Sequence, residues 1–327
     1  MSRLRYSFVI PVFNERESLP ELHRRLSEVV ARLGGDAELL FVDDCSFDGS
    51  YDVLLELQRS DPRVKVIRFA RNFGHQVAIT AGLDFALGDA VIVMDADLQD
   101  PPEVVPDLVA RWEEGYEVVY AVREAREGEP WLKRVTAAWF YRVLRRIASV
   151  EMPLDAGDFR LVDRAALDAF RSMRERNRYV RGMFSWVGYR QIGVPYHRPE
   201  RFAGEPKYSF RKSLTLAADG LVSFSNAPLR LALIGGFFFS TVAFLVGIFA
   251  IVAKLAGAFV VPGWASILVA VSFIGGVQLT LLGMLGLYVG RIYEEVKSRP
   301  LYVIREAHGI DEQTRLLQSD AADLVRR

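Results

Sequence analysis

The chain has one cysteine, Cys45, and no excess of either charge. A single thiol excludes an intrachain disulfide and a cysteine-based metal cluster. Its 41 basic and 41 acidic residues cancel, which argues against a general nucleic-acid binder, because such proteins carry a basic excess. The first apolar run, at positions 6–12, is too short for a signal peptide. No GxGxxG follows a predicted strand, which argues against a nicotinamide-binding fold.

Long stretches without charge are present only near the C-terminus, at positions 231–253 and 255–290. Each is long enough for the roughly 20 apolar residues that a helix needs to cross a bilayer core. A turn predicted at 257–263 joins them, so we expect a helical hairpin. Basic residues flank the pair on its outer sides, at Arg230 and Arg291. The positive-inside rule then predicts a multi-pass membrane protein with both termini cytoplasmic. A pair of buried core helices is the alternative.

The residues before these stretches alternate between strand and helix patterns. Short apolar runs predict strands at 6–12, 38–43, 64–69, 90–94 and 117–122. Helices are predicted between them, the first opened by a capping box at Ser18 and Glu21. This order predicts an α/β fold, in which a mostly parallel sheet carries helices on both faces. Ligands of such sheets bind beyond the carboxyl ends of the strands.

Polar side chains follow the first, second and fourth predicted strands at those ends: Asn14, Glu15, Asp43, Asp44, Asp95, Asp97 and Gln99. The last three alternate along the chain, so an extended segment would turn three oxygen donors to one side. Mg²⁺ is often bound by one or two carboxylates together with substrate phosphates. The pattern predicts a divalent-cation site that holds a diphosphate. The alternative is a set of solvated caps.

Two further segments are predicted to lie at a membrane surface. Residues 131–150 carry an apolar stripe, five basic side chains and no acid, which is typical of an interfacial helix on anionic lipid. A core helix with a basic edge is the alternative. Residues 209–229 predict an amphipathic juxtamembrane helix that leads into the first apolar stretch.

Several motifs resemble glycosyltransferase family 2 of the GT-A fold. They are VIPVFNE at 9–15, VDDCSFDG at 42–49 and DADLQDPPE at 95–103. GDFRL at 157–161 and RFAGEPKY at 201–208 resemble its polyprenyl-phosphate branch. That branch includes dolichyl-phosphate mannose synthases and bacterial undecaprenyl-phosphate glycosyltransferases. The resemblance covers about residues 6–299 and implies a GT-A, Rossmann-like sheet with interfacial helices and a C-terminal two-helix transmembrane hairpin.

The resemblance also implies a nucleotide-sugar pocket, lined by Pro11, Phe13, Glu15, Asp44, Asp95, Ala96 and Arg123. Asp97 and Gln99 are implied as the ligands of Mg²⁺ or Mn²⁺. Arg201 and Lys207 are expected to close over the donor diphosphate and the lipid phosphate from a loop. Phe13 departs from the family's usual Tyr, which preserves stacking but removes a hydroxyl.

Asp158 is predicted near the reacting centre, as a base or as the orienter of a cationic group. The alternative is a salt bridge that anchors Arg160. His75 and His197 are further candidates, with capping or packing as the alternative for His75. Because the expected acceptor is a phosphate monoester that is already anionic near pH 7, positioning and charge stabilisation matter more than a strong base.

The expected function is inverting transfer of one sugar from a nucleotide-sugar to polyprenyl phosphate, with UDP-glucose as the favoured donor. A GDP-mannose, N-acetylhexosamine or aminoarabinose donor and a noncatalytic membrane scaffold are the alternatives. A processive synthase is excluded, since Leu108 stands where its QxxRW motif needs Gln. We expect a cytoplasmic catalytic domain at 1–208, the juxtamembrane helix, transmembrane helices at 230–290 and a cytoplasmic tail at 291–327. The tail beyond Arg299 is predicted to join neighbouring copies in a homo-oligomer of the inner membrane, with a tetramer as the hypothesis.

Overall fold

The five short apolar runs and three further strands form one eight-stranded sheet in a computed structural model, which describes residues 4–34, 36–123, 156–197, 227–256 and 264–310. The strands are β1 (Tyr6–Val12), β2 (Ala37–Asp43), β3 (Val64–Phe69), β4 (Ala90–Val93), β5 (Val118–Arg123), β6 (Ala156–Asp163), β7 (Gln191–Tyr196) and β8 (Ile304–His308). Their order across the sheet is β7-β5-β6-β4-β1-β2-β3-β8. Strands β1 to β4 are mutually parallel, as are β5 and β7, whereas β6 and β8 run antiparallel to their neighbours. The predicted α/β fold with a mostly parallel sheet is confirmed.

Helices cover both faces of this sheet. They are α1 (Leu19–Leu33), α2 (Ser50–Ser60), α3 (His75–Phe85), a 3₁₀ turn (Pro102–Val104), α4 (Val105–Glu113), α5 (Arg164–Ser172) and α6 (Val180–Trp186). Alternate residues of β1 point to opposite faces. Phe8 and Ile10 lie in the apolar cluster that includes Leu22 of α1. Val9 meets α3 at Gly82, where an added Cβ would lie 2.2 Å from Val9 Cγ1.

The predicted capping box at the start of α1 is wrong. Ser18 has helical backbone angles (φ −84°, ψ −27°) and its side chain makes no cap hydrogen bond. Its hydroxyl instead donates to the Glu15 carbonyl at 2.9 Å, and the Ser18 and Leu19 amides bond to the same oxygen. A tight turn after β1 therefore takes the hydroxyl that the capping box needs.

The chain returns to the sheet after the last helix. Strand β8 pairs with β3 of the same chain, and Tyr302 stacks on Phe69 with ring centroids 5.4 Å apart. The Tyr302 hydroxyl donates to Asp84 at 2.9 Å. The sequence predicts a tail that joins neighbouring copies, whereas this part of it covers an otherwise unpaired strand edge. The homo-oligomer itself stays a prediction.

The described residues divide into two units, and the second contains the helices α7 (Ala227–Leu255) and α8 (Trp264–Val296). Phe239 and Phe273 connect them edge-on at 5.7 Å. Among the described residues, one segment, Phe273–Val296, is long and apolar enough to cross a membrane, and Ile234–Val246 is a shorter apolar stretch. The two-span hairpin therefore stays a prediction. The predicted segments at 131–150, 209–229 and 257–263 lie outside the described residues.

Candidate active site

The strand directions bring several polar residues to one edge of the sheet. The carboxyl ends of the parallel strands β1, β2 and β4 lie there, and so does the start of the antiparallel β6. Asp44, Asp95 and Asp158 follow or begin these strands. Arg123 ends β5, which runs antiparallel to β6, at the same edge. The structure thus brings together residues that the sequence separates by more than a hundred positions.

The segment after β4 is a turn, not the extended segment that the alternation of Asp95, Asp97 and Gln99 predicts. Leu98 has a left-handed backbone with φ of 61°. Asp97 Oδ1 accepts from the Gln99 amide at 3.1 Å, and Asp100 Oδ2 accepts from the Asp95 amide at 3.2 Å. These carboxylates compete with extended pairing for the local amides and close the chain on itself.

Two further residues fix this turn. Asp100 Oδ1 also accepts from the Tyr196 hydroxyl of β7 at 3.1 Å, so the turn is tied to a distant strand. Ala96 is buried within it. Asp97, in the same turn, is 8% exposed.

The donor set around Asp97 fits Mg²⁺ or Mn²⁺ only when the substrate supplies further ligands. In the part of the chain that the structure describes, no three His, Cys, Asp or Glu side chains could hold a metal by themselves. The Asp97 carboxylate and the Gln99 amide are hard oxygen donors on neighbouring positions. Mg²⁺ is commonly bound by one or two carboxylates plus substrate phosphates rather than in an all-protein cage. The residues fit that kind of shared site.

Asp44 organises the loop that begins α3. Its two carboxylate oxygens accept from the backbone amides of Phe73 at 2.6 Å and Gly74 at 2.9 Å. Burial raises the pKa of Asp44, and these two hydrogen bonds partly offset the increase. Both oxygens therefore serve the loop, which sets the position of His75 at the start of the helix.

The residues at the end of β1 form the next part of the edge. Pro11 is buried within β1, and Phe13 follows the strand half-buried. The ring of Phe13 lies edge-on to that of Phe47, at 6.0 Å, and Phe47 is 83% exposed. Glu15 is fixed through its amide, which donates to Ser50 Oγ at 2.9 Å. Phe47 carries no sequence signal of its own, because it stands in a loop between better-marked positions.

A chain of four charged side chains crosses the site. His75 Nε2 lies 3.5 Å from Asp95 Oδ1 and 3.3 Å from Asp158 Oδ2. Arg181 of α6 donates through Nε and Nη2 to both Asp158 oxygens, each at 2.9 Å. Gln76 Nε2 also donates to Asp158, at 3.4 Å. Acidic and basic groups therefore alternate from β4 to α6.

The charges in this chain shift one another's pKa. Burial alone would raise the pKa of Asp158, but Arg181 and His75 hold it well below its ordinary range. Burial lowers the pKa of His75, but Asp95 and Asp158 more than offset this and raise it to about 9. Asp158 is thus a persistent carboxylate and His75 an imidazolium at neutral pH.

The predicted alternative for Asp158, a salt bridge to Arg160, is wrong. Arg160 Nη2 donates to the Gly157 carbonyl at 2.9 Å, and its guanidinium lies 5.1 Å from the centre of the Phe184 ring. The carboxylate pairs with Arg181 instead. Sequence reasoning missed Arg181, since it stands 23 positions away on a separate helix. The only available signal was that a buried carboxylate needs a cation.

Arg123 lies beside the start of β6. Its Nη2 is 3.1 Å from where a Cβ on Gly157 would stand, so glycine makes room for the guanidinium. Its Nε is buried and makes no hydrogen bond to any residue that the structure describes. The predicted loop residues Arg201 and Lys207 lie outside the described residues.

Known proteins resemble this chain over nearly its whole length. The sequence profile of glycosyl transferase family 2 matches residues 7–171. The uncharacterized glycosyltransferase YkcC of Bacillus subtilis is 48% identical, over 95% of this chain and 97% of that protein. The SfII prophage-derived bactoprenol glucosyl transferase of Shigella flexneri is 42% identical, over 93% and 99%. The prophage bactoprenol glucosyl transferase homolog of Escherichia coli is 40% identical, over 92% and 99%. The chain therefore belongs to glycosyl transferase family 2, as its motifs predict, and is a glycosyltransferase.

Proposed function

We propose that this enzyme transfers a single sugar from a nucleotide-sugar to a polyprenyl phosphate at the cytoplasmic face of the inner membrane. UDP-glucose is the proposed donor. The observation that carries the proposal is the placement of oxygen donors and cations at one edge of the sheet. The names of the Shigella and Escherichia coli relatives, which this chain matches along almost their full length, support glucose and a bactoprenol-type lipid. The product is a polyprenyl-phosphate sugar.

On the donor side, Asp97 and Gln99 would hold Mg²⁺ or Mn²⁺ together with the nucleotide diphosphate. The chemistry that the bound cation supplies is neutralisation of negative charge on the leaving diphosphate. Arg123 binds a phosphate oxygen beside it. Phe13 packs against the base, while Pro11, Glu15, Asp44, Asp95 and Ala96 line the nucleoside and ribose side of the pocket.

On the acceptor side, the lipid phosphate is its own nucleophile. One of its oxygens forms a bond to the anomeric carbon as the bond from that carbon to the diphosphate breaks. A single displacement inverts the carbon and needs no strong base. Asp158 acts as an orienter of cations, because its oxygens are already engaged by Arg181 and His75. Arg201 and Lys207 close over both phosphates from their loop.

The acceptor's long tail stays in the bilayer, so the catalytic unit has to work close to a membrane. The apolar segment Phe273–Val296 supports this, since it is long enough to cross a bilayer and none of it is buried. We propose that α7 supplies the second span of a hairpin, and that residues 131–150 and 209–229 lie at the membrane surface.

A panel of radiolabelled nucleotide-sugars, incubated with the purified enzyme, Mg²⁺ and polyprenyl phosphate, tests the proposal. We expect one donor, UDP-glucose, to give label that partitions into organic solvent. Asp97→Ala should lower the rate by about 100-fold or more, since a positioned charge contributes at least that much. Asp52→Ala, an exposed carboxylate on α2, is the matched control and should keep full activity.

Each contrary result has a definite meaning. If GDP-mannose gives the extractable product, the enzyme is a mannose synthase. If no donor gives it, the proposed function is wrong. If Asp97→Ala transfers as fast as the wild type, the assignment of Asp97 to the cation is wrong.

A further inference from the structure

Arg181 stands at the α6 end of the chain of charged side chains that crosses the site. Its guanidinium reaches a carboxylate that is 5% exposed, yet its own side chain is 36% exposed. Two of its three nitrogens, Nε and Nη2, donate to Asp158. Nη1 donates to no residue in the part of the chain that the structure describes.

A structural arginine in the same unit looks different. Arg171 directs its guanidinium at the carbonyls of Leu83, Asp84 and Ala86 and at the carboxylate of Asp168, so its nitrogens serve the protein itself. In Arg181, by contrast, the N–H groups of Nη1 remain available to donate to a ligand. Because a guanidinium presents N–H groups in a fixed fork, that capacity suits a phosphate oxygen.

The neighbours of Arg181 hold it in a defined orientation. Asp158 accepts two hydrogen bonds from the guanidinium. His75 and Gln76 contact Asp158 and hold it in place. His75 also reaches Asp95, two residues before the predicted cation ligand Asp97. A series of contacts through Asp158 and His75 therefore links Arg181 to the turn that is proposed to hold the diphosphate.

We propose that Arg181 is a phosphate-binding catalytic residue of this transfer site, with Asp158 and His75 as its positioning residues. The inference rests on the proposed function. Its Nη1 donates to a phosphate oxygen and stabilises negative charge during transfer. That oxygen belongs either to the donor diphosphate or to the lipid phosphate, and the chemistry of recognition is the same for both.

Three variants test the role. Arg181→Gln removes the charge and Arg181→Lys keeps it without the fork. Arg174→Gln is the matched control, since Arg174 is 32% exposed and pairs with Asp84, which is 4% exposed, away from the site. We expect Arg181→Gln to lower kcat/KM by about 100-fold and Arg181→Lys by less, whereas Arg174→Gln keeps the wild-type value. The unfolding temperature should fall by a similar amount in Arg181→Gln and in Arg174→Gln.

Binding measurements assign the phosphate. If Arg181 holds the donor, calorimetry with UDP should show a Kd raised about tenfold or more in Arg181→Gln. If it holds the acceptor, the Kd of UDP stays unchanged and the KM for polyprenyl phosphate rises.

Equal kinetics for Arg181→Gln and Arg174→Gln, per folded molecule, would overturn the role of Arg181 and leave the proposed function intact. A wild-type enzyme that transfers no sugar would instead remove the proposed function, and this inference with it.

Discussion

Asp158 is a carboxylate for which burial and pairing decide between two chemical roles. A base needs a lone pair that is open to the substrate and a proton affinity near the working pH. Both oxygens of Asp158 accept from Arg181, and its pKa lies well below the ordinary range. These properties favour an orienting role, and the proposed acceptor, a phosphate that is already an anion, would need no base.

The raised pKa of His75 predicts that the stability His75 contributes depends on pH. The groups facing it are Asp95, Asp158 and Arg181. Because its pKa in the folded protein is raised to about 9, the stability that the imidazolium contributes is full below about pH 6.5 and is lost as the pH rises through 9. We expect His75→Gln to lower the unfolding temperature by several degrees at pH 6 and by much less at pH 10, measured without metal.

The exposed His197 provides the control, and His197→Gln should keep the wild-type unfolding temperature. A deficit of the same size for His75→Gln at both pH values would contradict the ion pairs that we assign to His75.

Sequence reasoning singles out residues whose chemistry is local and passes over residues whose contacts depend on the fold. Asp95, Asp97 and Gln99 stand within five positions of one another after an apolar run, so the pattern marks them. Arg181 is one arginine among many until helix α6 brings it to Asp158. The extended geometry predicted for the acidic segment failed because side-chain hydrogen bonds to its own amides closed it into a turn.

Among the secondary structure elements, the first five strands could be predicted and the last three could not. Strands β1 to β5 are apolar runs bounded by turn residues, and they match the predicted spans within one or two residues. Strand β6 carries Asp158 and Arg160, and β8 is largely polar. Such strands form because a partner strand offers unpaired backbone groups, and that information is not contained in their own side chains.

The close packing of α3 on the sheet predicts that a larger residue at Gly82 destabilises the protein. A Cβ on Gly82 would lie 2.2 Å from Val9 Cγ1, so glycine is needed for the close approach of helix and strand. Gly82→Ala should cost about 1–3 kcal/mol, because overpacking forces neighbouring atoms to move. For a domain of this size the unfolding temperature falls by about 2–4 °C for each kcal/mol.

Gly276→Ala is the matched control, since nothing lies within 4 Å of the Cβ it would add on α8. If both alanine variants unfold at the wild-type temperature, the contact between Val9 and Gly82 is looser than described.

At the scale of the whole molecule, the chain joins a sheet that is covered by helices to two long helices with apolar surfaces. Phe237, Phe244 and Leu279 are each more than 60% exposed on those helices. Surfaces of this kind favour lipid over water as their surroundings. After α8 the chain returns to the sheet through Tyr302 and β8.

The claim on which everything else depends is that a lipid phosphate is the nucleophile. The most direct test incubates the purified enzyme with UDP-glucose and Mg²⁺, and offers either polyprenyl phosphate or the same polyprenol without its phosphate. We predict a glycosylated lipid only from the phosphate, with one nucleoside diphosphate released for each sugar transferred, measured by mass spectrometry. Equal glycosylation of the unphosphorylated alcohol, or no glycosylated lipid from either acceptor, would contradict the account.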